Sequence, residues 1–222
     1  MYILDLINNH EGSRLDCGNK AFSLMRISHE LKIPSGFIIM QNMLTDILAY
    51  NNFDEQNLDI FIDYDKIRNF IINAELSSEM LDEINMHLDN IPQQYHGSTF
   101  AVRSSSINED SNTHSMAGMF DSFVNISRDE VITSIKHVYA SLYSDRIISL
   151  CLDGKIKTDE LTMSIIVQIY KKGLISGVLF SVDTVEMNKD VYHINFKSGD
   201  CVDFIKTMQN QVYILLTKIV MK

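Results

Sequence analysis

Hydrophobic periodicity changes along this chain, and that change restricts the possible fold more than any other feature. Up to Gly97 the apolar residues recur mostly at three- and four-residue spacing. Ala21, Leu24, Ile27 and Leu31 form one such stripe, Leu44, Ile47 and Leu48 a second, and Leu81, Ile84 and Leu88 a third. Each lines one face of a helix. Asn42 or Thr45 is placed to cap the second helix, and Ser77 or Ser78 the third. Pro34 and Gly36 interrupt the helices ahead of Phe37-Ile38-Ile39-Met40, an apolar run suited to a buried strand. Beyond Gly97, strands are predicted at Thr99–Arg103, Phe120–Ile126, Met163–Tyr170, Gly177–Val182, Val191–Phe196 and Gln211–Ile219. One long helix among them, capped by Ser127 or Asp129, faces inward through Ile132, Ile135, Tyr139 and Leu142. Helices first and strands afterwards predict an α+β fold of two lobes, 1–98 rich in helix and 99–222 rich in strand.

Charge and composition narrow the functional classes. The chain has 222 residues and a formal charge of −10. That sign disfavours nonspecific nucleic-acid binding, which depends on neutralising phosphates with Lys and Arg. An anionic small ligand needs only a few local cations and backbone N–H groups. No run approaches the roughly 18 apolar residues that span a bilayer, and the first residues do not pattern as a signal peptide. The expectation is a cytoplasmic protein with no membrane contact. Cys17, Cys151 and Cys201 form no close pair, and with the seven histidines they make no zinc-ligand spacing.

Three segments carry residues suited to an anion. Ala101-Val102-Arg103 leads into Ser104-Ser105-Ser106, so a guanidinium fork and three small donors sit where a strand meets a loop. Ser115-Met116-Ala117-Gly118 places a glycine where backbone N–H groups can approach phosphate oxygens. Gly18-Asn19-Lys20 puts a lysine in the first turn of a helix, where the dipole also favours an anion. Each segment has an ordinary alternative: a surface ion pair, a turn, a loop glycine, a solvated lysine. Only the combination discriminates.

That combination resembles the ATP-binding domain of phosphoenolpyruvate synthase, pyruvate phosphate dikinase and rifampicin phosphotransferase. GNKAFSL is similar to the family's GGKxxxL, and IPSGFIIM to VPPGFVVT. AVRSSSINEDSNTHSMAGMFDSFVNI resembles AVRSSATxEDxxxxSFAGxxxTxLNV. VYASLYSDRIISL resembles WASLFSxRAxxYR, and MSIIVQIYKKGLISGVLFSVD resembles MAVVVQxMVxAxxSGVxFTxD. The blocks keep the family's order from Gly18 to Asp183. The resemblance implies an ATP-grasp-like fold with the nucleotide cleft between two lobes. It implies Lys20 and Arg103 on the ATP phosphates, a covering loop of Ser115, Met116, Ala117 and Gly118, and Gln168 on the adenine side.

The last part of the chain departs from the family pattern. Lys197-Ser198-Gly199-Asp200 stands where the family has GLGE, which makes Asp200 the candidate metal ligand. Ile205 falls at the glutamate of DIEWA, while Leu216 and Lys218 fall at the glutamine and arginine of LQxRPI. Ile and Leu offer no oxygen to Mg²⁺, and Lys218 keeps charge without a bidentate fork. No phosphohistidine motif occurs in the sequence. The resemblance therefore implies an ATP-dependent kinase or phosphotransferase component, whose acceptor is held by another domain or by a separate phosphohistidine or acceptor-binding protein. The alternative is a nucleotide-binding or regulatory pseudo-enzyme without transfer chemistry.

Overall fold

The computed structural model describes residues 1–7, 12–54, 58–95, 97–107, 118–183, 188–200 and 212–217. The chain forms two compact units, Met1–Tyr170 and Lys171–Lys222. The first is built on β1 (Ile3–Asp5), β2 (Gly36–Ile39), β3 (Phe100–Ser105), β4 (Ser122–Ile126) and β5 (Ser164–Ile169). Their order is β1-β2-β5-β3-β4, with every neighbouring pair antiparallel. β5 is central, and all six of its residues are buried. A near-continuous apolar run is what such a strand, covered on both faces, requires.

Each face of this sheet has its own core. On one, Ile38 and Ile166 pack with Cys17, Ala21 and Met25 of α1 (Arg14–Ile27). On the other, Phe37, Ile39, Val102, Ile165 and Val167 join a larger cluster. Its helices are α2 (Asn42–Tyr50), α3 (Ile60–Asn73), α4 (Ser78–Asp89), α5 (Val131–Ala140) and α6 (Asp145–Leu152). Residues 37 and 38 face opposite ways because side chains alternate along a strand.

Local chemistry explains several boundaries. The Ser77 hydroxyl accepts from the Met80 N–H at 3.3 Å and starts α4, whose Ile84 and Leu88 are buried as their spacing requires. The Asp59 carboxylate accepts from the Phe61 N–H at 2.8 Å and starts α3. α2 starts at Asn42 without a side-chain cap from the preceding residue. α1 begins earlier than its apolar stripe suggests, at a Ser13 cap, and kinks at Gly18. After the kink it buries Ala21 and Met25, while Ile27 and Leu31 are 43% and 63% exposed.

The helix-to-strand shift near residue 98 does not coincide with the division between the compact units. β1 and β2 precede that position and pair into the same sheet as β3, β4 and β5. The second unit holds an antiparallel meander of β6 (Ile175–Phe180), β7 (Val191–Ser198) and β8 (Val212–Thr217).

Candidate functional site

The site residues of the first unit converge where α1 meets β3. Gly18 has φ 73° and ψ 169°, a combination that essentially only glycine adopts. A Cβ there would lie 2.3 Å from the Ser105 carbonyl oxygen, so the absent side chain is also what lets helix and strand touch. Ser105 then closes the junction. Its hydroxyl donates to the Cys17 carbonyl at 2.7 Å and accepts from the Ala21 N–H at 3.0 Å. The Asn19 N–H donates to the Ser106 carbonyl at 3.3 Å, and the Asn19 side-chain amide to the Ile107 carbonyl at 2.7 Å.

Lys20 lies between these ties, and its ammonium donates to the Ser104 carbonyl at 2.9 Å. Arg103 is the preceding residue of the same strand. It stands two positions before Ser105, and so on the α1 side of the sheet. Its register partner Ile166 confirms that side, because Ile166 packs with Ala21 and Met25. Arg103 is half-buried, and among the described residues no carboxylate pairs with its guanidinium.

Gln168 follows Ile166 by two residues on β5, so it shares the same face. It is buried, and its amide nitrogen donates to the Pro34 carbonyl at 3.0 Å. That bond turns the amide oxygen away from Pro34 as an acceptor. Gly36 is its register partner, and a Cβ there would come within 2.8 Å of the Gln168 Cα. The structure therefore brings Lys20, Arg103 and Gln168 to one side of one sheet.

Two expectations are corrected. Ser104, Ser105 and Ser106 are all buried, and the Ser105 hydroxyl is committed to α1 rather than presented to a ligand. The N–H groups of Asn19 and Ala21 are likewise bonded to β3 and its extension. Ser164 belongs to the junction as well: its hydroxyl donates to the Asp16 carbonyl at 2.7 Å, anchoring α1 to β5. The signal in the sequence is a hydroxyl opening a strand whose next three residues are all apolar.

Other expected residues are distributed differently. Gly118 is exposed with φ 74°, and nothing lies within 4 Å of where its Cβ would be. Ser115, Met116, Ala117, Ile205 and Lys218 lie outside the described residues. Asp200 follows β7 in the second unit, and Leu216 stands on β8 in register with Tyr192. Among the described residues no three His, Cys, Asp or Glu side chains group as metal ligands. A cavity of about 560 Å³ lined by Leu88, Ile91, Tyr95, Thr99, Phe100 and Arg128 includes none of Lys20, Arg103 or Gln168.

The fold is thus an α+β chain that sets a lysine, an arginine and a hydrogen-bonded amide on one face of a sheet. The family comparison matches residues 15–213 to "Pyruvate phosphate dikinase, AMP/ATP-binding domain". The chain belongs to that family. It is 32% identical over 207 residues to a phosphoenolpyruvate synthase of Helicobacter pylori, covering 82% of this chain and 25% of the relative. An uncharacterized phosphotransferase of Bacillus subtilis is 30% identical over 187 residues, covering 83% of this chain and 21% of the relative. A rifampicin phosphotransferase of Bacillus subtilis is 29% identical over 135 residues, covering 60% of this chain and 15% of the relative. The chain thus spans a quarter or less of the length of these relatives. No helix of the described residues is long and apolar enough to cross a membrane.

Proposed function

We propose that this chain binds ATP in an ATP-grasp-like mode, with Lys20 and Arg103 on the phosphates, Gln168 on the adenine side and the 115–118 loop over the phosphates. The observation that carries the reading is the α1–β3 junction. It places two cations on one sheet face, with the Lys20 ammonium 2.9 Å from the carbonyl of Ser104, the residue next to Arg103. Two fixed cations stabilise polyphosphate charge in the bound state and as it shifts during transfer. Family membership in the AMP/ATP-binding domain supports the same ligand.

The proposal extends to phosphoryl transfer as one component of a phosphoenolpyruvate synthase-like kinase. The acceptor would be held by another domain or chain. The names of the relatives, a phosphoenolpyruvate synthase and a rifampicin phosphotransferase, support that reaction class. A resident Mg²⁺ does not fit the donor set. Leu216 and Ile205 have no oxygen to give, and Asp200 is left as the one candidate at the family's ligand positions. That same donor loss favours a second reading, a nucleotide-binding regulatory module without transfer.

Calorimetric titration with ATP tests the binding claim. The intact protein should bind, and Arg103→Ala should weaken binding about tenfold or more, the cost of a lost charge-assisted hydrogen bond. Absence of binding, or equal affinity in the variant, refutes it. Turnover of ATP by the isolated chain would refute the second reading.

A further inference from the structure

We propose that Ser105 is a positioning residue for the Lys20 ammonium, setting where that cation stands relative to Arg103. The inference rests on the reading of Lys20 as a phosphate-binding group. One hydroxyl bridges the two sides of the α1 kink. It donates to the Cys17 carbonyl before the kink at 2.7 Å and accepts from the Ala21 N–H after it at 3.0 Å. Lys20 lies inside that bridged segment, and the residues on either side of it are each tied to β3 or its extension. Asn19 bonds to Ser106 and Ile107, and Ala21 bonds to Ser105.

The consequence is a fixed spacing between two cations carried on different elements. Arg103 and Ser105 belong to one rigid strand, in the middle part of the sheet between β4 and β5. Lys20 belongs to a helix whose path bends at Gly18, where the Asn19 and Ser164 bonds also hold the backbone. Among these ties the Ser105 hydroxyl is the one that reaches both sides of the bend, and it does so from a fully buried position. A displacement on the order of 1 Å in a positioned group is enough to cost about a hundredfold in function. A serine that only stabilised the fold would affect every ligand alike.

A double-mutant cycle separates the two roles. ATP and adenosine affinities are measured by calorimetry for the intact protein, Ser105→Ala, Lys20→Ala and the double variant, with urea unfolding of each recorded in parallel. Ser105→Ala should weaken ATP about tenfold and leave adenosine within about twofold. In the Lys20→Ala background it should cost no further ATP affinity. Equal loss for ATP and adenosine, or losses that add in the double variant, overturns this inference while leaving the ATP reading intact. An intact protein that does not bind ATP overturns both. Should Ser105→Ala fail to fold, Ser105→Cys supplies the same contrast, because a thiol keeps the volume but is a weak donor and acceptor.

Discussion

Gly18 and Ser105 meet backbone to backbone: a Cβ on Gly18 would lie 2.3 Å from the Ser105 carbonyl oxygen and 2.5 Å from its carbonyl carbon. The obstacle is main chain on a paired strand, so it has no rotamer with which to yield. Gly18 also holds φ 73° with ψ 169°, a region closed to residues with a side chain. Gly18→Ala should destabilise the first unit by at least about 2 kcal/mol. Urea unfolding followed by circular dichroism reads this directly. A midpoint unchanged from that of the intact protein would show that the junction is looser than these distances imply.

Tyr139 presents the opposite case, a polar atom with nothing to bond. Its ring is fully buried in the larger core, and its hydroxyl has no hydrogen-bond partner among the described residues. Burial pushes the phenol upward from its ordinary value, which keeps it neutral. An unsatisfied buried hydroxyl costs free energy that phenylalanine does not incur. Tyr139→Phe should leave stability unchanged or raise it by up to about 1 kcal/mol. A clear loss in urea unfolding would mean that the hydroxyl has a partner after all.

How much of this was legible beforehand depends on the range of the interaction. α4 was readable because its cap and stripe are local: Ser77 bonds to Met80, and Ile84 and Leu88 follow at helical spacing. β2 was readable as an uninterrupted apolar run. α1 departs from its apolar stripe: the buried face runs through Ala21 and Met25, and the helix ends at Ile27, which leaves Leu31 beyond it and exposed. β1 is not legible in the sequence because three residues are too few to show a period, and its place is set by pairing with β2. In the candidate site, residue type singles out Lys20 and Arg103 and the family resemblance adds Gln168, but neither gives the fate of the serines. Their burial follows from contacts between residues about 88 positions apart, as in the bond from Ser105 to Cys17. Strand order, which decides such contacts, leaves no local trace.

Cys17 offers a probe of the same junction. Its side chain is completely buried, and burial together with the neighbouring Asp16 charge pushes the thiol up to about 11. Thiolate is the reactive form, so at mildly alkaline pH the folded protein presents almost none at this position. With Cys151 and Cys201 replaced by serine, Cys17 should react with a disulfide reagent at least about a hundredfold more slowly than in urea. The Gly18→Ala variant should lose much of that protection. Rapid labelling of Cys17 in the folded protein would contradict the burial described.

Glu130 gives a pH dependence whose sign is fixed by its partners. Its carboxylate accepts from the Ser127 hydroxyl and the Ser127 N–H, each at 2.7 Å, closing a capping box ahead of α5. Those donors, hydroxyl first, lower its pKa below the ordinary 4.5 against a small opposing effect of burial. A carboxyl group with a depressed folded-state value contributes stability above its unfolded value, and loses it as pH falls through the folded one. Glu130→Ala should therefore reduce stability at neutral pH, and the gap from the intact protein should close in strongly acidic solution. Urea midpoints of both proteins across that range measure the gap. If the gap stays constant with pH, the loss comes from packing or helix propensity, and the charged form of Glu130 has no part in holding the start of α5.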